Sequence, residues 1–297
     1  MPEGIEIRVI SEYLNKVWTG KLIIALGWDS ASKFNRKPIK GLELVKVPLK
    51  VIGVFPRGKL IIIECLTVDN KMIYMVSQLG MEGKWVHIKE NHSNFRLYFG
   101  NLNIEKNRYQ VEDTWWYDDS RHFGHFNVYS DTKEIDKNHG PCLLTTALVE
   151  NNFIKKESLR KYQTYSNINH FTSCIKNKRI ATKEICDFLM KQKYLSGVGN
   201  YLKNELLYRC KINPHKLLGD FTDENIKSLY NAILEQMLIS YGARGLTIKS
   251  YWDPEGNKGK CPLQVYKKDK DPLGNLVETF KDKEGRTVHW VPIVQIN

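Results

Sequence analysis

The spacing of apolar residues changes near residue 130. This change restricts the fold more than any other feature of the sequence. From Lys21 to about Ser130, short runs of apolar and β-branched residues alternate with turn signals such as PRGK and GMEGK. Strands of this length at this spacing predict an antiparallel sandwich or barrel. Beyond DTKEIDKNHGPCLL, apolar residues recur at helical spacing instead. The helical stretches are LVENNFIKKESLRKYQ, KEICDFLMKQKYL, NYLKNELLYRC and DENIKSLYNAILEQMLISYG.

These patterns predict an α+β protein with two domains. A helix is expected over Glu6–Val17, where apolar residues share one face. Residues 1–134 would form this helix and an antiparallel β-sandwich, residues 135–148 a linker, and residues 149–297 a helical domain. The runs PLQVYKK and GRTVHWVP predict the strands of a closing β hairpin within about 262–293.

The charge balance indicates the class of partner. The 297 residues include 45 Lys and Arg against 33 Asp and Glu, which gives a net charge of +12. This excess favours a polyanion. Nucleic acid is favoured over an acidic membrane surface, because the late lysines are interleaved with acids and aromatics. A generically basic protein is the alternative.

The sequence also predicts where such a protein works. No apolar run approaches membrane-spanning length, and the start lacks the apolar core of a signal peptide. The six cysteines are scattered and form no C-x-x-C pair, a pattern typical of reduced thiols. We therefore expect a soluble intracellular protein that binds no membrane, with nucleus and cytoplasm both open.

The first six residues, MPEGIE, allow two interpretations. Chain ends are often frayed, so one interpretation is an uninformative tail. In the other, removal of Met1 exposes the secondary amine of Pro2. Because an α-amino group has a pKa of about 7.7–8.0, part of it is unprotonated at neutral pH. It could displace a base at a sugar C1′ to give an iminium, with Glu3 protonating the departing ring oxygen.

A second candidate site is the turn at Ser196–Asn200, between two helical segments. Gly197 and Gly199 would let another backbone approach closely, and the start of the next helix would offer N–H groups to a phosphate. Taken alone this signal is weak, because many helix–helix turns share it.

Six short motifs occur in order and are more specific together than singly. They are MPEGIE, RGK at 57–59, LGMEG at 79–83, DSRHFG at 119–124, SGVGNYLKNELLY at 196–208 and QVY at 264–266. This set resembles the Fpg/Nei family of bifunctional DNA glycosylases, from the first residue to about Trp290. The resemblance implies a helix–two-turns–helix motif in the helical domain. It also implies base-excision repair: the enzyme flips out and excises an oxidised base, then cleaves the strand by β/δ-elimination as an AP lyase.

The resemblance implies catalytic roles for residues that match the family motifs. Pro2 would attack C1′ and form the Schiff base. Glu3 would open the deoxyribose, with Glu6 as a supporting carboxylate. Lys59, at the tip of a β turn, would contact phosphate and assist proton transfer during strand cleavage.

Five further residues are implied in DNA binding. Asn200 would clamp a phosphate beside the lesion, and His92 matches a phosphate contact more loosely. Met81, Arg121 and Phe123 would fill the gap that base extrusion leaves, a task that suits long apolar, cationic and aromatic side chains. Without the family, a core Met81, a surface ion pair at Arg121 and strand packing by Phe123 are equally good interpretations.

The C-terminal hairpin departs from the family pattern. Most members carry a four-cysteine zinc finger with an essential arginine there, whereas this chain has no cysteine after Cys261, and His289 alone cannot hold zinc. The hairpin is similar to the zincless finger of a vertebrate Nei-like enzyme, with Arg286 implied as the catalytic phosphate contact. We expect no metal and no cofactor. Ile5 and His122 also replace residues that are common in the family.

Substrate choice is left open by these patterns. The zincless finger favours oxidised pyrimidines and formamidopyrimidines, but residues 244–258 resemble a loop that Fpg places over 8-oxoguanine. We expect a monomer that binds double-stranded DNA containing oxidised bases or abasic sites, with single-stranded DNA also open. The rivals are a non-catalytic protein that binds damaged or single-stranded DNA on the same fold, and a Schiff-base enzyme on small aldehydes. The second rival would not explain the positive charge.

Overall fold

The computed structural model describes residues 2–30, 32–245, 256 and 259–296, and these form an α+β protein as predicted. The helices are α1 (Gly4–Trp18), α2 (Lys133–Asp136), α3 (Leu143–Glu150), α4 (Ile168–Ile175), α5 (Ile185–Leu189), α6 (Asn200–Arg209) and α7 (Asp223–Gly242). The strands are β1 (Leu22–Trp28), β2 (Leu49–Arg57), β3 (Leu60–Leu66), β4 (Met72–Gln78), β5 (Lys84–Val86), β6 (Ser93–Asn103), β7 (Arg108–Asp118), β8 (His125–Tyr129), β9 (Glu278–Lys281) and β10 (Thr287–Trp290).

Helix α1 forms where the sequence predicts an amphipathic helix, and extends slightly beyond both predicted ends. Its Ile7, Ile10, Leu14 and Trp18 are buried in the apolar core. Gly20 follows with φ of 84°, the left-handed conformation that commonly ends a helix and that glycine adopts without strain.

The first eight strands form one antiparallel sheet, in the order β5-β7-β6-β1-β2-β3-β4-β8. Its two outer strands face each other across the core, because Trp85 of β5 packs against Phe126 of β8 with ring centroids 6.2 Å apart. The sheet therefore curls around a single apolar core. Trp18 of α1 fills that core, with its ring centroid 5.4 Å from that of Trp115.

Helices α3 to α7 follow the sheet. Helix α3 begins within the segment predicted as a linker, residues 135–148, and ends at Glu150, two residues beyond it. Every residue from Leu143 to Val149 is buried. A run such as LLTTALV has no polar face, so no amphipathic period marks it in the sequence. Helices α5 and α6 flank the turn at 196–199, which is the helix–two-turns–helix arrangement.

Strands β9 and β10 form the C-terminal hairpin. The prediction of a strand at PLQVYKK was wrong. The backbone N–H groups of Gln264, Val265 and Tyr266 donate to the Glu205 carboxylate at 2.8, 3.0 and 2.8 Å. Because these three N–H groups donate to one buried side chain of α6, they are not available for strand pairing, and this run is not a strand of the hairpin.

The described residues divide into two compact units. The first contains residue 2 and residues 6–30, 32–136 and 256, and the second contains residues 3–5, 137–245 and 259–296. Residues 246–255, 257 and 258, which make up most of the segment resembling the 8-oxoguanine loop, lie outside the described residues. Within the described part of the chain, no helix is long and apolar enough to span a membrane.

Candidate active site and nucleic-acid interface

Glu3 is held at the start of helix α6. Its carboxylate is 2% exposed, and its two oxygens accept the backbone N–H groups of Gly199 at 2.7 Å and Tyr201 at 3.0 Å. The positive end of a helix favours a carboxylate at this place. The half-buried Pro2 is the next residue toward the amino terminus.

The glycines of the 196–200 turn make room for the amino terminus. Gly4 donates its N–H to the Gly197 carbonyl at 2.9 Å, and a Cβ on Gly4 would lie 2.8 Å from the Gly197 Cα. A Cβ on Gly199 would overlap the Glu3 carboxylate. The close approach of another backbone agrees with the sequence prediction, whereas these N–H groups were predicted to bind a phosphate. The structure corrects that assignment, because Glu3 accepts from the N–H groups of Gly199 and Tyr201.

Glu6 and Lys59 belong to the first unit. Glu6 is fully buried in α1. Lys59 is half-buried and forms, with Gly58, the two-residue turn that joins β2 to β3. Gly58 has φ of 54°, and a positive φ at the first central position is what a tight hairpin turn requires. The backbone thus places Lys59 in the turn of the β2–β3 hairpin, the position that the family resemblance implies.

Asn200 contacts the backbone next to Arg286 in the second unit. The Asn200 side-chain amide donates to the carbonyl of Thr287 at 2.9 Å, and Thr287 directly follows Arg286. One of the two amide hydrogens is committed there. Burial raises the pKa of the neighbouring Tyr266, and a hydrogen bond with Asn200 opposes that shift.

Asp282 organises the turn that carries Arg286. Its carboxylate accepts the backbone N–H groups of Glu284 at 3.0 Å and Arg286 at 2.8 Å. It also forms an ion pair at 3.2 Å with Lys203 of α6, and both side chains are fully buried. Burial raises the pKa of Asp282, but the hydrogen bond from Arg286 N and the charge of Lys203 lower it, and the net shift is downward.

The guanidinium of Arg286 is one-third exposed at the end of this hairpin. It pairs with Glu284 and lies 3.8 Å from the Asp282 carboxylate. The residues of the hairpin do not fit the zinc site of other family members: from residue 262 onward the sequence has one His and no Cys. Among the described residues, no group of three or more His, Cys, Asp or Glu side chains is arranged to hold a metal.

Met81, Arg121 and Phe123 form an exposed cluster on the first unit. They lie on two adjoining loops, β4–β5 and β7–β8, since a Cβ on Gly80 would lie 2.7 Å from the backbone of Phe123. Met81 is 38% and Phe123 54% exposed. The Arg121 guanidinium stacks over the Phe123 ring, 5.5 Å from its centroid. A core role for Met81 is thereby excluded. Arg121 also lies 3.9 Å from the Glu82 carboxylate, so the surface ion pair that was the alternative for this residue is present.

His92 is exposed just before β6 and is fastened through its backbone. Its N–H donates to Asp118 at 3.0 Å, and its carbonyl accepts the N–H of Asp119 at 3.3 Å. Its ring lines a small cavity together with Lys33 and His122. The structure therefore places His92 near the loop that carries Arg121.

Sequence reasoning missed the polar residues that hold the hairpin to α6. Lys203, Glu205 and Tyr208 lie on a helix whose residues 201–208 are all buried. Lys203 binds Asp282, Glu205 accepts three backbone N–H groups, and Tyr208 donates to Asp271 at 3.0 Å. The available signal was the presence of charged residues within a helix that has no solvent-exposed face. Because charged groups are rarely fully buried unless they are paired, each of them predicts a partner elsewhere in the chain.

Comparison with known protein families identifies the chain. Residues 1–126 match the formamidopyrimidine-DNA glycosylase N-terminal domain, and residues 161–250 match the formamidopyrimidine-DNA glycosylase H2TH domain. The chain belongs to the Fpg/Nei family. As a member of this family of DNA glycosylases, it is an enzyme that acts on DNA.

Relatives cover both branches of this family. A formamidopyrimidine-DNA glycosylase from Lactococcus lactis is 27% identical over 311 residues, with 99% of each chain covered. An endonuclease 8-like protein of Acanthamoeba polyphaga mimivirus is 34% identical over 172 residues, covering 55% of this chain and 58% of its own.

Solved structures of the family share the fold. The MutM (Fpg) protein of Thermus thermophilus superposes with a TM-score of 0.78 at 21% identity, covering 99% of this chain and 98% of its own. The Lactococcus lactis Fpg, in a complex with tetrahydrofuran-containing DNA and an inhibitor, has a TM-score of 0.76 at 24% identity, with 100% of both chains covered.

Proposed function

We propose that this enzyme excises oxidised bases from DNA through a Schiff base at Pro2 and then cleaves the strand. The observation that carries the proposal is the anchoring of Glu3 at the start of α6, because it fixes the residue bonded to the proposed nucleophile. A binding protein has no need for a buried carboxylate beside an amino-terminal proline.

The reaction begins with removal of Met1, which leaves Pro2 as a secondary amine. Its lone pair attacks C1′ of the damaged nucleotide, the base leaves with the electrons of the glycosidic bond, and the N–H proton of Pro2 is transferred to the departing base. Glu3 donates a proton to the ring oxygen O4′ as the C1′–O4′ bond opens, which gives a cationic iminium. Loss of a C2′ proton then expels the 3′ phosphate, and a second elimination expels the 5′ phosphate. Water finally releases the sugar remnant from Pro2.

Each unit carries candidate phosphate contacts. Asn200 contacts the carbonyl of Thr287, the residue after Arg286, and the planar guanidinium of an arginine can bind a phosphate through two hydrogen bonds. Lys59 and His92 provide further candidates on the first unit. Met81, Arg121 and Phe123 are exposed and adjacent. Side chains placed in this way would fill the space that the extruded base leaves in the DNA stack.

Oxidised pyrimidines and formamidopyrimidines are the proposed substrates, and the active species is proposed to be a monomer on double-stranded DNA. The names of the Lactococcus and mimivirus relatives support a ring-opened purine and an endonuclease 8-like specificity, respectively. The metal-free hairpin supports the second of these.

Borohydride trapping tests the proposal. The protein is incubated with a labelled duplex containing one oxidised pyrimidine, reduced, and separated on a denaturing gel, while intact mass verifies the loss of Met1. We expect a covalent band that falls by about tenfold or more in Pro2→Ala, because a primary amine replaces the secondary one. Absence of a band with every oxidised base and abasic site, from protein that still binds DNA, would favour the non-catalytic binding protein.

A further inference from the structure

Lys33 makes three contacts with the loop that carries Arg121 and Phe123. It lies at the start of a short 3-10 helix, and its ammonium donates to Asp119 Oδ2 at 3.2 Å, to the His122 carbonyl at 3.2 Å and to the Gly124 carbonyl. An ammonium has three hydrogens. All three are used within the protein, so Lys33 is not a free phosphate ligand.

The loop at 119–124 depends on these contacts for its shape. Asp119 Oδ2 also accepts the N–H of Gly124 at 2.8 Å, and the Asp119 carbonyl accepts the N–H of His122 at 3.2 Å. His122 has φ of 56°, a strained conformation for a residue with a side chain. The ammonium of Lys33 binds both ends of this strained stretch.

Burial makes the contact difficult to replace. The side chains of Lys33 and Asp119 are 18% and 4% exposed, respectively. Asp119 Oδ1 is buried and has no hydrogen-bond partner among the described residues. Burial lowers the pKa of Lys33, and the charge of Asp119 opposes that shift. Removal of the ammonium would leave a buried carboxylate without its counter-charge, which proteins tolerate poorly.

We infer that Lys33 is a positioning residue that holds the 119–124 loop in the shape needed for Arg121 and Phe123 to enter the DNA stack. The inference rests on the proposed gap-filling role of these two residues. Lys33 itself touches neither DNA nor the reacting atoms. Its effect should therefore appear in base-stack disruption and in turnover on duplex DNA.

The test uses a duplex with 2-aminopurine opposite a tetrahydrofuran residue, which is bound but not cleaved. Fluorescence rises when side chains displace the 2-aminopurine from the stack. We expect both Lys33→Met and Phe123→Ala to lose most of this rise. We also expect Lys33→Met to lower kcat on an oxidised-base duplex by about tenfold or more, since small misplacements at a site are costly. Lys33→Arg should recover part of the signal, because it restores the charge.

Two controls separate positioning from loss of folding. Lys37→Met removes an exposed charge from the same segment and should leave both readouts unchanged. Asp119→Asn keeps an acceptor for the Gly124 N–H and removes the charge that pairs with Lys33. This second variant tests the same contact if Lys33→Met unfolds before binding can be measured.

The outcomes for the inference and for the proposed function are distinct. If wild type shows the fluorescence rise and Lys33→Met and Asp119→Asn retain it, the inference is wrong and the proposed function stands. If wild type binds but gives neither fluorescence rise nor covalent trapping, the proposed function fails, and the inference fails with it.

Discussion

Gly199 lies where the Glu3 side chain reaches the start of α6, and it leaves no room for a methyl group. A Cβ there would overlap the carboxylate and push Glu3 out of its two hydrogen bonds. We predict that Gly199→Ala lowers the yield of borohydride trapping by about a hundredfold, because a shift near 1 Å at a reacting group can cost that much.

Gly242→Ala is the matched control for this substitution, since nothing lies within 4 Å of a Cβ at that position. Both variants should show wild-type circular dichroism at 25 °C. Wild-type trapping by Gly199→Ala would mean that the position of Glu3 does not govern the chemistry.

At the level of elements, helix α6 carries the C-terminal hairpin, and the Lys203–Asp282 pair is the buried charged contact between them. Removal of one partner of such a pair costs about 3–5 kcal/mol, because the other charge is left buried. We predict a loss of this size in the free energy of unfolding for Lys203→Met, measured with urea.

Lys191→Met is the control for the element-scale prediction, since Lys191 pairs with Glu284 at the surface and exposed pairs contribute about 0–1 kcal/mol. A chelator should leave the unfolding of wild type unchanged. Equal losses for the two variants would show that the buried pair does not hold the hairpin.

Sequence patterns predicted the elements better than the contacts between them. The apolar strands and α1 follow from periodicity, and the terminal proline and ordered motifs pointed to the site residues. Helix α3 was missed because all of its faces are apolar, and PLQVYKK was misread because Glu205 takes the N–H groups that a strand would use. The Lys33 and Lys203 contacts join residues 86 and 79 positions from their partners, and local spacing carries no information on such pairs.

For the whole molecule, the net charge of +12 predicts DNA binding that weakens steeply with salt. The slope of log Kobs against log salt is about −0.9 for each phosphate neutralised. We predict that Arg286→Ala reduces the magnitude of this slope by about one, whereas Arg286→Lys keeps the slope and loses only the fork geometry. Fluorescence anisotropy on a tetrahydrofuran duplex measures both, and an unchanged slope in Arg286→Ala would remove Arg286 from the phosphate contacts.

The hydrogen bonds of Glu3 can form only late in synthesis of the chain. Its partners at Gly199 and Tyr201 lie 196 and 198 residues further along. At about 5–20 residues per second, they leave the ribosome roughly 10–40 s after the amino terminus does. An aminopeptidase that trims Met1 can act during this interval, before α6 has been made. The proposed nucleophile Pro2 would thus be exposed early in translation, whereas the Glu3 carboxylate beside it can reach its two partners only after two-thirds of the protein has been synthesised.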